Sequence, residues 1–346
     1  MTAINRQWLL KSRPQGSLSP DIFEYRETAV PDGALKEDEI LIQNMAFLCA
    51  PTMRNWMDPP GNSLYPSIPL GAPVMAPSVG RVVASASDDF VVGTSVFALS
   101  SWQDYAVVTA SALRRPTVLP DGVSFIDGLG RFGLNPMTAY FGLLDVGQPK
   151  SGETLLVSGA AGSTGSTVAQ IGKIKGMTVI GIAGGKDKCD WLTSECGIDA
   201  AIDYKSEDVG ARLAELCPQG INVFFDNVGG EILQAAIDNM APFGRIVLCG
   251  QISSYDGGPS PEGPRNMMRL VYGGIRMQGF LCGHYATRFG EAVAALREWS
   301  DAGKIAYRED LRDGFDNLPT AFGALFDGSN AGTLLVQINE RATDTQ

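Results

Sequence analysis

The chain has 346 residues, 45% of them hydrophobic and 19% charged, with a formal net charge of −11 at pH 7. That length predicts two domains, and the composition excludes a disordered chain. The negative balance argues against nucleic acid or an anionic membrane as partner. No apolar run approaches the roughly 18 residues of a membrane span, and Met1 to Arg13 lacks the apolar centre of a signal peptide, so a cytoplasmic protein is expected.

Residues 1 to about 125 carry short alternating runs broken by Pro and Gly, among them Glu39-Ile-Leu-Ile-Gln-Asn44, Ser78-Val-Gly-Arg-Val-Val-Ala84 and Tyr105-Ala-Val-Val-Thr109. Runs of this length and spacing predict a β-rich domain over 1–125. From Ile126 the pattern changes to helices alternating with apolar strands, with strands expected near 154–158, 178–183, 200–202, 222–226, 244–249 and 275–281. This alternation predicts an α/β domain over 126–308, built on a doubly wound parallel sheet. The Gly-, Pro- and Ser-rich 250s and 260s read as one loop beside the site. Residues 309–346 end in the strand-like Gly332-Thr-Leu-Leu-Val-Gln-Ile338 and read as a return to the first domain.

The stretch Leu155-Leu-Val-Ser-Gly-Ala-Ala-Gly-Ser-Thr-Gly-Ser166 carries the most information. A buried strand runs into glycines at 159, 162 and 165, with Ser163 and Thr164 between them. A helix is expected from Ser166 to about Lys175, followed by the strand Thr178-Val-Ile-Gly-Ile-Ala183. Glycines permit the tight turn and let backbone N–H groups approach a pyrophosphate at the positive end of the helix. An NAD site usually places Asp or Glu at the end of the second strand, on the ribose 2′-hydroxyl. Here that strand runs into Ala183-Gly-Gly185, then Lys186 and Lys188, with no carboxylate. Ammonium groups attract a 2′-phosphate, so the pattern predicts NADPH as cofactor.

The six cysteines, at 49, 189, 196, 217, 249 and 282, form no C-x-x-C pair, and His284 is the single histidine. No metal site is expected from that set.

Several further runs resemble one family. They are Met137-Thr-Ala-Tyr-Phe-Gly-Leu-Leu-Asp-Val-Gly147, Lys150-Ser-Gly-Glu-Thr154, Ala201-Ile-Asp-Tyr-Lys205, Phe225-Asp-Asn-Val-Gly-Gly230, Cys249-Gly-Gln-Ile-Ser-Ser-Tyr255 and Arg276-Met-Gln-Gly-Phe280. Together with the glycine turn, they are similar to the zinc-independent branch of the medium-chain dehydrogenases/reductases. That branch holds leukotriene B4 dehydrogenase/prostaglandin reductases and plant double-bond reductases. The Gly-His-Glu zinc motif of alcohol dehydrogenases is missing. The resemblance implies a GroES-like first domain and a Rossmann second domain. It further implies that Lys188, Tyr204 and Asn330 hold the 2′-phosphate of NADPH, beside Gly185, with Asn227 against the nicotinamide and Tyr255 at the substrate carbonyl. In the first domain the family's Asp-Pro-Tyr-Met-Arg is replaced by Ala50-Pro-Thr-Met-Arg54, which puts Thr52 where a pocket tyrosine is usual.

The reaction implied is NADPH-dependent reduction of the C=C bond of α,β-unsaturated ketones and aldehydes, as in an alkenal/one reductase, with Tyr255 the catalytic candidate and a homodimer the expected state. The run Arg276-Met-Gln-Gly-Phe-Leu-Cys282 would then be an edge strand paired across a two-fold. Two alternatives stay open on sequence: a quinone reductase of the same superfamily, and an NADPH-binding protein without turnover.

Overall fold

The computed structural model describes residues 4–61, 67–109, 115–255 and 263–339. The chain divides into two compact units, one comprising the residues up to Arg131 together with those from Glu309 onward, the other Phe132–Arg308.

In the first unit, β1 (Ile4–Leu10) and β2 (Phe23–Ala29) form an antiparallel pair. A larger sheet takes in β3 (Glu39–Leu48), β4 (Met75–Ser85), β5 (Ser95–Ser101), β6 (Tyr105–Thr109) and β7 (Thr117–Val118). In β5 every second residue is buried, with Val96, Ala98 and Ser100 pointing inward, as the period-2 pattern requires. β3 is buried on both faces. Ile40 and Ile42 pack with Phe90 and Val96, while Phe47 and Leu48 pack with Met53 and Trp102.

The second unit holds β8 (Thr154–Ser158), β9 (Thr178–Ala183), β10 (Ala200–Asp203), β11 (Ile221–Asp226), β12 (Met240–Leu248) and β13 (Arg276–Gly279). They lie in the order β10-β9-β8-β11-β12-β13, and every pairing is parallel. Such strands need crossover helices, which cover both faces and make the strands apolar throughout. Leu155, Val157, Val179 and Phe225 belong to one core, and their neighbours Leu156, Ile180 and Phe224 to the other. Each fully buried aliphatic or aromatic side chain contributes about 1.5–3 kcal/mol. The strand order reverses between β8 and β11, the switch point where ligands of doubly wound sheets bind beyond the strand C-termini.

Three expectations are corrected. The helix after the glycine turn spans Ser163–Ile174, starting at Ser163 and not Ser166, because Gly162 already serves as its N-cap. The last strand stops at Gly279, where expectation carried it to 281. Phe280 turns in against Phe225, with ring centroids 6.3 Å apart, and a 3-10 helical segment begins at Cys282. Of the single loop expected over the 250s and 260s, 256–262 lie outside the described residues, and the stretch after them runs into a short helix at Met268–Gly273.

The last segment returns to the first unit. β14 (Glu309–Asp313) pairs parallel with β15 (Thr333–Gln337), and β15 pairs antiparallel with β3 through Leu335 and Leu48. No helix among the described residues is long and apolar enough to cross a membrane.

Candidate functional site

The glycine turn is built so that a phosphate can lie against backbone. Gly159 takes φ +57°, a left-handed conformation that favours glycine. The N–H of Gly162 donates to the Gly159 carbonyl at 3.0 Å, closing the turn. Gly165 lies inside the first helical turn, where a Cβ would stand 2.3 Å from the Gly159 oxygen and 2.8 Å from the Ala160 Cα. Only glycine lets the helix come this close. The N-cap, Gly162, has no side chain to cap the helix. The N–H groups of the first turn, carried by Ser163, Thr164 and Gly165, make up the positive end of the helix. This cradle fits a pyrophosphate.

A buried carboxylate sits at the switch point. Ser158 ends β8, and Asp226, only 1% exposed, ends β11. The Ser158 hydroxyl donates to Asp226 Oδ1 at 2.7 Å, and the N–H groups of Val228 and Gly229 donate to the same oxygen at 3.0 Å each. Burial pushes the Asp226 carboxyl up from its ordinary range, and the hydrogen bonds from Gly229, Ser158 and Val228 oppose that. Asn227 is held twice by Ser158. Its backbone N–H donates to Ser158 Oγ and its side-chain Nδ2 to the Ser158 carbonyl, each at 2.8 Å. Asn227 therefore lies beside Gly159, where a Cβ would be 3.5 Å from its own Cβ.

At the adenosine end, Ala183 finishes β9, and Gly185, at φ +97°, caps the helix Lys186–Ser194. Lys186 is exposed and ion-paired with Asp190 one turn on, and Lys188 is half-buried on the same helix. Tyr204 donates its backbone N–H to the Ala183 carbonyl at 3.1 Å. Its ring lies over Gly184, where a Cβ would be 2.8 Å from Tyr204 Cε1. Gly185, Lys188 and Tyr204 thus share one corner. Asn330 belongs to the first unit, between the helix Leu318–Asp327 and β15, and its Nδ2 donates to the Gly332 carbonyl at 3.2 Å.

Tyr255 follows a 3-10 turn, Ile252–Ser254, after β12. The N–H groups of Ile252 and Ser253 donate to the carbonyls of Asn227 and Val228, each at 3.2 Å, so this loop is tied to the switch point. The Gln251 N–H donates to the Tyr255 phenol oxygen at 3.3 Å, beside Gly250. Among the described residues the phenol donates to no acceptor. In the first unit, Thr52 precedes the short helix Met53–Trp56, is half-buried, and accepts the Asn55 N–H on its carbonyl at 3.0 Å. A cavity of about 330 Å³ in that unit is lined by Ile68, Pro73, Met75, Leu99 and Val107 among others, and Thr52 is not part of its wall.

Ser158 and Asp226 are site residues that reading the motifs did not single out. The signal was present in Asp-Asn-Val-Gly-Gly, but the carboxylate's partner is 68 positions away.

Comparison with known proteins gives two family models. An N-terminal domain of oxidoreductase matches residues 6–115, and a zinc-binding dehydrogenase domain matches 163–298. Among the described residues, no three His, Cys, Asp or Glu side chains gather where they could hold a metal. The NADPH-dependent curcumin reductase of Escherichia coli is 37% identical, over 96% of this chain and 97% of that protein. Prostaglandin reductase 1 of Rattus norvegicus is 36% identical, over 96% of this chain and 98% of that protein. Among solved structures, CurA of Vibrio vulnificus in complex with NADPH superposes with a TM-score of 0.89 at 38% identity, covering 97% of this chain and 99% of that one.

Proposed function

The chain belongs to the medium-chain dehydrogenase/reductase family, in its zinc-independent branch, and from that footing we propose that it uses NADPH to reduce the C=C bond of α,β-unsaturated ketones and aldehydes. Use of NADPH is supported by the corner formed by Gly185, Lys188 and Tyr204, where β9 ends without a carboxylate. The NADPH and prostaglandin-reductase names of its relatives point the same way.

Bound NADPH supplies the hydride, which goes to the β-carbon. The C=C pair then shifts between the α-carbon and the carbonyl carbon, and the carbonyl π pair moves onto oxygen, giving an enolate. The residue for that charge is Tyr255, whose phenol oxygen accepts the Gln251 N–H and whose hydroxyl would donate to the substrate oxygen. One well-placed donor of this kind stabilises the transition state by about 3 kcal/mol. The α-carbon then takes its proton from water, directly or through the phenol. The observation that carries this reading is the position of that hydroxyl, on a loop hydrogen-bonded to Asn227 and Val228 at the switch point.

The test is NADPH consumption across enals, enones, quinones and 15-keto lipids. Turnover of enals and enones to saturated products is expected. Turnover of quinones alone would assign a quinone reductase, and tight NADPH binding with no turnover would assign a binding protein.

The working state proposed is a cytoplasmic homodimer joined through the β13 edge. Nearby, Val271 and Tyr272 are 67% and 86% exposed, and Phe243 is 79% exposed. Sedimentation at micromolar concentration should give a dimer, and a monomer there would overturn it.

A further inference from the structure

We propose that Asp203 is a positioning residue for coenzyme specificity, holding two loops as one platform for the 2′-phosphate and so setting the preference for NADPH over NADH. The inference rests on the NADPH reading above.

Asp203 and Ala183 are register partners at the ends of β10 and β9, so the two following turns leave the sheet side by side. Asp203 joins them. Its Oδ1 accepts the Gly185 N–H at 2.7 Å and the Lys205 N–H at 3.0 Å, and its Oδ2 accepts the Ser206 hydroxyl at 2.9 Å. Its own N–H donates to Glu207 Oε2 at 2.8 Å. The Gly185 and Lys205 N–H groups hold the carboxyl below its ordinary range, so it is ionised at neutral pH. One turn carries Gly185 and starts the helix of Lys188, while the other carries Tyr204 and Lys205. The bond to the Gly185 N–H fixes where that helix begins relative to the Tyr204 ring over Gly184.

An NAD site offers a carboxylate from the end of the second strand to the ribose. In this protein the carboxylate arrives from the next strand along, and both of its oxygens are occupied by protein donors. A carboxylate near a phosphate also repels it. Here three donors offset part of its charge, and the turn is solvent-exposed, where salt screens the remainder. Loss of placement therefore outweighs relief of repulsion when Asp203 is removed.

Calorimetric titration of NADPH and NADH into wild type, Asp203→Ala and Asp203→Asn, with thermal melts of each, tests this. Asp203→Ala should weaken NADPH by about tenfold and NADH by less than about twofold. Asp203→Asn keeps an oxygen that can accept both N–H groups and should recover most of the affinity. Equal weakening of both nucleotides, or tighter NADPH binding, would overturn the inference. Should Asp203→Ala not fold, Gly185→Ala strains the same turn at φ +97° and should give the same selective loss. A wild type with no preference for NADPH would overturn the NADPH reading itself. A preference that survives every variant would overturn only the role of Asp203.

Discussion

Replacing Gly165 with alanine should separate the nucleotide cradle from the stability of the fold around it. A Cβ there would lie 2.3 Å from the Gly159 oxygen and 2.8 Å from the Ala160 Cα, both backbone atoms with no rotamer to yield. The helix Ser163–Ile174 must then retreat from the turn by about 1 Å to restore van der Waals contact. Overpacking of this kind costs about 1–3 kcal/mol, and the better helix propensity of alanine returns about 1 kcal/mol at most. The net loss, about 0–2 kcal/mol, should lower Tm by no more than roughly 5 °C. Displacing even one N–H from a charged phosphate forfeits a further ~1.5–3 kcal/mol, so NADPH should bind about 10- to 100-fold more weakly. Gly172→Ala in the same helix is the control. Its Cβ would meet Leu155 Cδ2 at 2.5 Å and Val179 Cγ2 at 3.0 Å, side-chain ends that can move, so some stability is lost while NADPH affinity stays. Calorimetry and thermal melts on both variants decide the matter. Wild-type NADPH affinity in Gly165→Ala, or an equal loss in Gly172→Ala, would refute the account of the turn.

Tyr255→Phe should lower kcat and kcat/KM for enones alike, by ~10²-fold, with NADPH affinity nearly constant, as steady-state kinetics and a binding titration can show. A change in KM alone would mean that the phenol binds substrate without acting on the transition state. Lys188→Ala should raise KM for NADPH by about tenfold with little effect on NADH, and equal loss with both would show that the lysine does not read the phosphate. At the opposite end of the sheet, Arg245 holds both oxygens of Glu153, at 2.8 and 2.6 Å, and the carbonyl of Gly147 at 2.9 Å. Burial raises the Glu153 carboxyl, but the hydrogen bonds from Arg245 and the Lys150 N–H win and hold it below its ordinary range. Its contribution to stability is therefore full above the unfolded-state pKa and is lost as pH falls through the folded one. Glu153→Gln should cost about 2 kcal/mol at pH 7 by denaturant unfolding, with the difference from wild type narrowing below about pH 4.

Much of the second unit was legible because its strands are continuous apolar runs ended by small or polar turn residues, as in Leu155-Leu-Val-Ser-Gly159 and Val223-Phe-Phe-Asp226. Buried parallel strands require that composition whatever packs on them. The helix start was misplaced because Gly-Ser-Thr-Gly reads as turn. Chain propensity does not reveal that Gly165 is helical so that two backbones can approach. The Lys186–Asp190 pair was readable at i,i+4 spacing. The contacts of Asp226 with Ser158 and of Asp203 with Gly185 were not readable, because they join residues 68 and 18 positions apart that only the sheet order makes neighbours.

The most direct test of the proposed activity is the fate of the hydride. NADPH carrying deuterium at the transferable C4 position of the nicotinamide should be mixed with the enzyme and a simple enone, and the product read by NMR. The account predicts a saturated ketone with deuterium on the carbon that was β to the carbonyl. Deuterium on the carbinol carbon of an allylic alcohol would contradict it.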